Sequence, residues 1–442
     1  MIDTLEKLLR TMAAHGATKF YAKKLASNDN SKNQVYLGGD YSALNILPFG
    51  KVDTDSDSKA GSKRDRAKAW LSFYWLDENG IHEAPEAKLI LYPKYPEVRL
   101  SGFLKRSEMA PSDIMRQRCD GRTLFLGTTP NGRVLAHVVM PGSALRSQLD
   151  ALGSPPQEGV FIELSVDARA VGDTRGQLLA TLGAIHAKSW IASQRLGPGG
   201  LAVPYVAANG GGYTLEAELG ISPNGYAEPD FLGWEVKQYA VKDFISNIAQ
   251  NPVTLLTPEP TAGIYRDEGV EVFIRRFGYP DQRGRADRLN FGGIYKVGAP
   301  ANANTGVRLH LLGFDYEKKV ITDMTQGIAL LSNDGTPAAI WNFTGILEHW
   351  NRKHAKTVYI PSIKRGPPME YAYSDLVQLC VGTDFDMFLK ALAAGAIYYD
   401  PGLKLENINS TRPRAKRRSQ FRIRHSDLNR LYHQIEETRL IL

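Results

Sequence analysis

A chain of 442 residues is too long for one ordinary core and predicts two or three domains; 43% hydrophobic and 23% charged residues is a globular balance, not a disordered one. The 54 Lys and Arg exceed the 47 Asp and Glu by a net +7, which suits a polyanionic partner without requiring one. Two distant cysteines, Cys119 and Cys380, argue against a disulfide framework or a zinc site and for a reducing, cytoplasmic setting, and no apolar run is long enough for a membrane span.

The opening residues 1–10 read as a short amphipathic helix. From about residue 18 to 166 the pattern is mainly β. Residues 19–25 form a first strand, residues 69–75 and 87–92 pair about the hairpin signal Asp77-Glu78-Asn79-Gly80, and residues 122–127 and 133–139 flank Thr129-Pro130-Asn131-Gly132. Short strands with regular turn chemistry predict a barrel or sandwich. Residues 51–68 interrupt them with Asp53, Asp55 and Asp57, then Lys59, Lys63, Arg64, Arg66 and Lys68, a long loop ending in a basic arm.

Turn-rich stretches place a domain border between residues 165 and 180. Residues 174–196 read as a helix stopped by Gly197-Pro198-Gly199-Gly200. Strands at 251–256, 269–275, 307–314 and 357–360 then interleave with helices at 346–353 and 384–394, which is α/β behaviour. Arg412, Arg414, Lys416, Arg417, Arg418, Arg422 and Arg424 crowd one acid-free segment, followed by a helical end carrying Leu428, Leu431, Ile435 and Leu440. The segment is equally readable as a DNA-contact strand, with His425 a possible base contact, and as a solvated basic loop.

The chemistry concentrates in Pro229-Asp230-Phe231-Leu232-Gly233-Trp234-Glu235-Val236-Lys237. In a strand, Glu235 and Lys237 project from one face and Trp234 and Val236 from the other. Asp230 lies just upstream and can meet the charged face from a bend. Two carboxylates beside an ammonium make a hard-oxygen site for a divalent ion. Asp77 with Glu86-Ala87-Lys88 repeats the bare pattern, but its Asp falls in a hairpin turn and no acidic helix precedes it.

The wider context is Tyr213-Thr214-Leu215-Glu216, Gly220-Ile221, Asn224, the motif itself, and Thr254-Leu255-Leu256-Thr257-Pro258-Glu259-Pro260. It resembles the catalytic core of the MvaI/BcnI restriction endonuclease family, PD-(D/E)XK nucleases with a MutH-like fold. The resemblance runs from about residue 175 toward the C-terminus. It implies that Asp230 and Glu235 are metal ligands, that Lys237 is the catalytic lysine and Glu216 an additional active-site acid, distinct from the nearby Glu218. A strand carbonyl at Val236 would complete the protein's share of the Mg²⁺ shell.

Residues 20–29 with Gln34-Val35-Tyr36-Leu37-Gly38 resemble the start of EcoRII-type effector domains, β-pseudobarrels that grip duplex DNA with two arms. Lys32, Asn33 and Gln34 would then belong to one arm and Lys63, Arg64 and Arg66 to the other. The expected layout is therefore a multidomain chain, with residues 1–170 a mainly-β, DNA-binding pseudobarrel and residues 171–442 an α/β PD-(D/E)XK nuclease. The expected function is Mg²⁺-dependent cleavage of double-stranded DNA at a specific sequence, with Mn²⁺ substituting. The resemblance implies 5′-phosphate and 3′-hydroxyl ends, a role in restriction or phage defence, and a cognate methyltransferase as partner. A strand-nicking repair nuclease like MutH, and a non-catalytic DNA-binding protein on a nuclease scaffold, are the competing readings.

Overall fold

The computed structural model describes residues 2–54, 66–93, 96–165, 174–221, 230–350 and 353–440. They form two compact units, Met1–Asp173 with Val320–Met324, and Thr174–Lys319 with Thr325–Leu442. The chain is mixed α/β and rich in sheet. Among the described residues, no helix is long and apolar enough to cross a membrane.

In the first unit, Thr4 caps the helix Leu5–Ala14 by accepting the Lys7 N–H. Leu5, Leu8, Leu9 and Met12 make one apolar stripe, buried with Phe20, Phe125 and Leu135. The strands beneath belong to a seven-stranded sheet in the order Gln157–Glu158, Phe161–Leu164, Lys19–Leu25, Arg122–Thr128, Arg133–Val139, Ser72–Asp77, Gly80–Glu83. A five-stranded sheet runs Val35–Tyr36, Glu97–Ser101, Lys88–Tyr92, Ala67–Trp70, Val52–Thr54.

The expected pairing of 69–75 with 87–92 forms only at residues 69 and 70, and not across one hairpin. The backbone changes sheets at Leu71, whose N–H donates to the Ala87 carbonyl. Ala67–Trp70 pairs with Lys88–Tyr92, while the Asn79-Gly80 turn closes Ser72–Asp77 onto Gly80–Glu83. Gly80 takes φ 133, a conformation that a side chain would resist. The decoy acids are occupied elsewhere: Asp77 bonds His82, and Glu86 faces Lys88, Lys105 and Arg106.

The second unit is built on the strand Lys356–Arg365. The site strand Glu235–Ala240 runs parallel to it along one edge, with Glu235 beside Thr357 and Lys237 beside Tyr359. Its other edge pairs antiparallel with Leu376–Val381 and Glu370–Tyr373, and Gln434–Arg439 closes the sheet beyond Leu376–Val381. One face is apolar: Val236, Val358, Ile360 and Leu379 pack with Leu178, Leu182 and Ile185 of the helix Thr174–Ala187 and Leu215 of the helix Gly210–Glu218. The opposite face carries Glu235 and Lys237.

Three expectations here change. The helix from residue 174 stops at Ala187, because Ser189 turns to φ 58 and the chain continues as the short strands Ile191–Ala192 and Gln194–Leu196. Residues expected as a strand at 269–275 form the helix Val270–Phe277, with Val270, Phe273, Ile274 and Phe277 buried. The expected helical C-terminus is a 3₁₀ turn, His425–Arg430, followed by the strand Gln434–Arg439.

Candidate active site

Trp234 and Val236 are driven into the core, and the alternation of the strand turns Glu235 and Lys237 to the other side. Lys237 Nζ lies 2.8 Å from Glu235 Oε1. Asp230 arrives through a tight reversal: Phe231 and Trp234 exchange backbone hydrogen bonds of 2.9 and 2.8 Å across Leu232 and Gly233, at φ 49 and 82. A two-residue turn with both central residues left-handed matches the twist of the following strand, and Gly233 accepts that conformation without penalty. The reversal lets Asp230 Oδ2 accept the Val236 N–H at 3.1 Å.

Glu216 comes from the helix Gly210–Glu218 and feels the charges of Asp230, Glu235, Lys353 and Lys237. Glu218 is separately engaged, with Lys188 at 2.5 Å and Gln194 at 2.7 Å. The expected four residues are therefore brought together, and the near neighbour is held apart from them.

Crowding sets the electrostatics. Burial first, then repulsion from Asp230 and Glu235, pushes the Glu216 carboxyl up to about 7. Burial first, then Glu235, pushes Asp230 up to about 6, against the pull of the Val236 N–H and Lys353. Glu235 is only 3% exposed, and its Oε2 is sealed from solvent without a hydrogen-bond donor. The site thus holds more negative charge than its hydrogen bonds satisfy.

Raised carboxyl pKa values favour the folded state at low pH. The stabilisation is complete below the ordinary carboxylate range and is lost as pH rises through about 6 and 7. Asp230→Asn cannot ionise, so without divalent metal its unfolding midpoint should fall less than that of the wild type as pH rises through this range. Melting curves in chelator across that range test this; equal slopes would contradict it.

Asp230 and Glu235 are the close carboxylates of the site, and the Val236 N–H bonds one of them. Among the described residues, no group of three or more His, Cys, Asp or Glu side chains is arranged to hold a metal ion. Water and substrate oxygens would have to complete the shell, which is the habit of Mg²⁺. The unsatisfied Glu235 oxygen and the mutual repulsion of the acids fit such a cation.

A family model, the MvaI/BcnI restriction endonuclease family, matches residues 179–432. The chain belongs to that family. It is a type II restriction endonuclease, and membership places it among enzymes of sequence-specific DNA cleavage. The MvaI/BcnI match covers the whole of the site described above. Two solved structures are similar over 60% of this chain: a restriction endonuclease MvaI complex with cognate DNA substrate, and MvaI in the absence of DNA. Identities are 15% and 12%, coverage of those chains 98% and 97%, and TM-scores 0.45 and 0.33. No curated protein matches the chain.

The residues expected to contact DNA are scattered in role. Arg424 and His425 line a cavity with Tyr239 and Glu437, on the sheet face that carries Lys237, and His425 packs on Tyr239 at 4.2 Å. Arg422 is committed within the fold, bonding Asp400 at 2.7 Å and the Pro252 carbonyl at 2.6 Å. Lys416 bonds Glu406 and Arg417 faces Glu259, while Arg414 and Arg418 are exposed. In the first unit Lys32 is exposed and Asn33 half-buried, whereas Gln34 is tied to Tyr92 and Ser101. Arg66 is half-buried; Lys63 and Arg64 lie outside the described residues.

Two neighbours of the site carried no sequence signal. Lys353 stands beside both Asp230 and Glu235. His354 is fully buried, stacked on Trp350, with its ring nitrogens 3.1 and 3.0 Å from the Trp350 and Leu255 carbonyl oxygens. Burial, then the charge of Lys237, pushes its pKa down to about 3. The neutral ring donates to one of the two carbonyls and is a packed strut.

Proposed function

We propose that this enzyme hydrolyses phosphodiester bonds of double-stranded DNA with Mg²⁺, Mn²⁺ substituting, and leaves 5′-phosphate and 3′-hydroxyl ends in restriction or phage defence. The observation that carries this reading is the cluster of Asp230, Glu235 and Lys237 on one sheet face, with Glu216 raised in pKa beside it. A bound divalent ion would neutralise the scissile phosphate and acidify a water. Asp230, Glu235 and the Val236 carbonyl would hold it. Lys237, oriented by Glu235, donates hydrogen bonds toward the attacking water and the charge that gathers on phosphate oxygens. Glu216 adjusts the charge of the site and helps orient Lys237. A cognate methyltransferase would protect host sites. Supercoiled plasmid carrying the site should be linearised with Mg²⁺ or Mn²⁺ and stay intact in chelator; cutting in chelator would refute the metal assignment.

Residues 1–170 serve in this reading as a pseudobarrel DNA-binding module, with Lys32, Asn33 and Gln34 on one arm and Lys63, Arg64 and Arg66 on the other. Arg414, Lys416, Arg417, Arg418, Arg424 and His425 would contact DNA in the nuclease domain, and Arg422 would support them. Each phosphate contact contributes about 0.9 to the slope of log affinity against log salt, so Lys32→Ala with Arg64→Ala in the full chain should flatten it by about two. Binding titrations over a salt series would reveal an unchanged slope if these arms do not touch DNA.

A further inference from the structure

Lys353 lies between the helix Phe343–Trp350 and the strand Lys356–Arg365, beside the site strand. Its Nζ is 3.6 Å from Glu235 Oε2 and 4.0 Å from Asp230 Oδ1. Both distances are too long for hydrogen bonds and short enough for charge pairing. It faces the other two carboxylate oxygens, where the two acids crowd each other: Glu235 Oε1 is taken by Lys237, and Asp230 Oδ2 by the Val236 N–H. Glu235 Oε2 is closed to solvent, so a hydrated cation cannot reach it while the surroundings stay as they are.

The backbone and the side chain at this position differ in freedom. His354 is held by its burial, by its stack on Trp350 and by a hydrogen bond from one ring nitrogen to a backbone carbonyl. The Lys353 side chain is 29% exposed and hangs on a flexible four-carbon stem, so its ammonium can move without moving the chain.

We propose that Lys353 is a positioning residue whose ammonium stands in for the divalent cation between Asp230 and Glu235 in the metal-free enzyme and is displaced when the metal binds. This rests on the reading of Asp230 and Glu235 as metal ligands. The stand-in keeps two close carboxylates in place until the metal arrives, and it sets a threshold on metal binding because it must leave first. Lys237 cannot serve this role, since it is hydrogen-bonded to the other oxygen of Glu235.

The test is thermal unfolding of the full chain, without DNA, over a series of Mg²⁺ and Ca²⁺ concentrations. Lys353→Met should melt lower than wild type in chelator, respond to metal at concentrations at least about fivefold lower, and converge with wild type at saturation. Lys353→Arg, which keeps a cation on a long stem, should restore the wild-type metal response. A Lys353→Met deficit that persists at saturating metal, or a weaker metal response, would overturn the stand-in role while leaving the metal site itself intact. A wild type that shows no metal response, with Asp230→Asn equally unresponsive, would instead overturn the underlying metal reading and this inference with it.

Discussion

Lys237→Ala should bind its DNA site with nearly wild-type affinity and cleave it on the order of 10³-fold more slowly, the loss that follows removal of one preorganised charge or proton donor. Lys237 makes a 2.8 Å contact with Glu235, and its side chain is only 14% exposed at the foot of the charged face. Its charge is therefore spent locally, and a phosphate far from the scissile position gains nothing from it. Single-turnover cleavage alongside a binding titration in Ca²⁺ separates the two effects. Lys237→Arg should not rescue, because a planar guanidinium cannot take the place of a compact ammonium against Glu235. Affinity falling in parallel with rate would make Lys237 a general DNA contact instead.

Glu235→Gln should lose cleavage on a similar scale, on the order of 10³-fold, for a different reason. The side chain keeps its volume and can still accept from Lys237, so the fold is spared. The lost charge removes one of the two carboxylates assigned to the metal. Its defect should therefore shrink as Mg²⁺ or Mn²⁺ is raised, whereas that of Lys237→Ala should not. A Glu235→Gln variant with wild-type rate at low metal would remove Glu235 from the ligand set.

Much of the site was legible because it is local. The period of two across Trp234, Glu235, Val236 and Lys237 separates an apolar from a charged face, and the core contacts of Trp234 and Val236 follow it. Asp230 reaches the strand through a four-residue reversal that the glycine at 233 permits. Glu216 needed the resemblance, since a helix acid beside a buried face has many ordinary explanations. Lys353 had no such signal: it becomes part of the site only through the parallel pairing of Glu235–Ala240 with Lys356–Arg365, a long crossover that no local pattern encodes.

The helix and strand errors have physical causes as well. Val270-Glu271-Val272-Phe273-Ile274 is rich in β-formers, yet burial at 270, 273, 274 and 277 is a helical period, and packing overrode propensity. Gln434–Arg439 has good helix formers and is a strand because it pairs with Leu376–Val381 through Ile435 beside Cys380 and Glu437 beside Gln378. In the first unit, local turn chemistry named Asp77 to Gly80 correctly as a turn, but the choice of partner strand depended on the break at Leu71.

The most direct test of the central claim is digestion of a sequenced, unmethylated phage genome by the purified full chain with Mg²⁺, with every end mapped on both strands. The account predicts recurrent ends at one short sequence, bearing 5′-phosphate and 3′-hydroxyl groups, absent in chelator and absent with Lys237→Ala. Ends scattered without a common sequence, or no cleavage with any divalent ion, would contradict it.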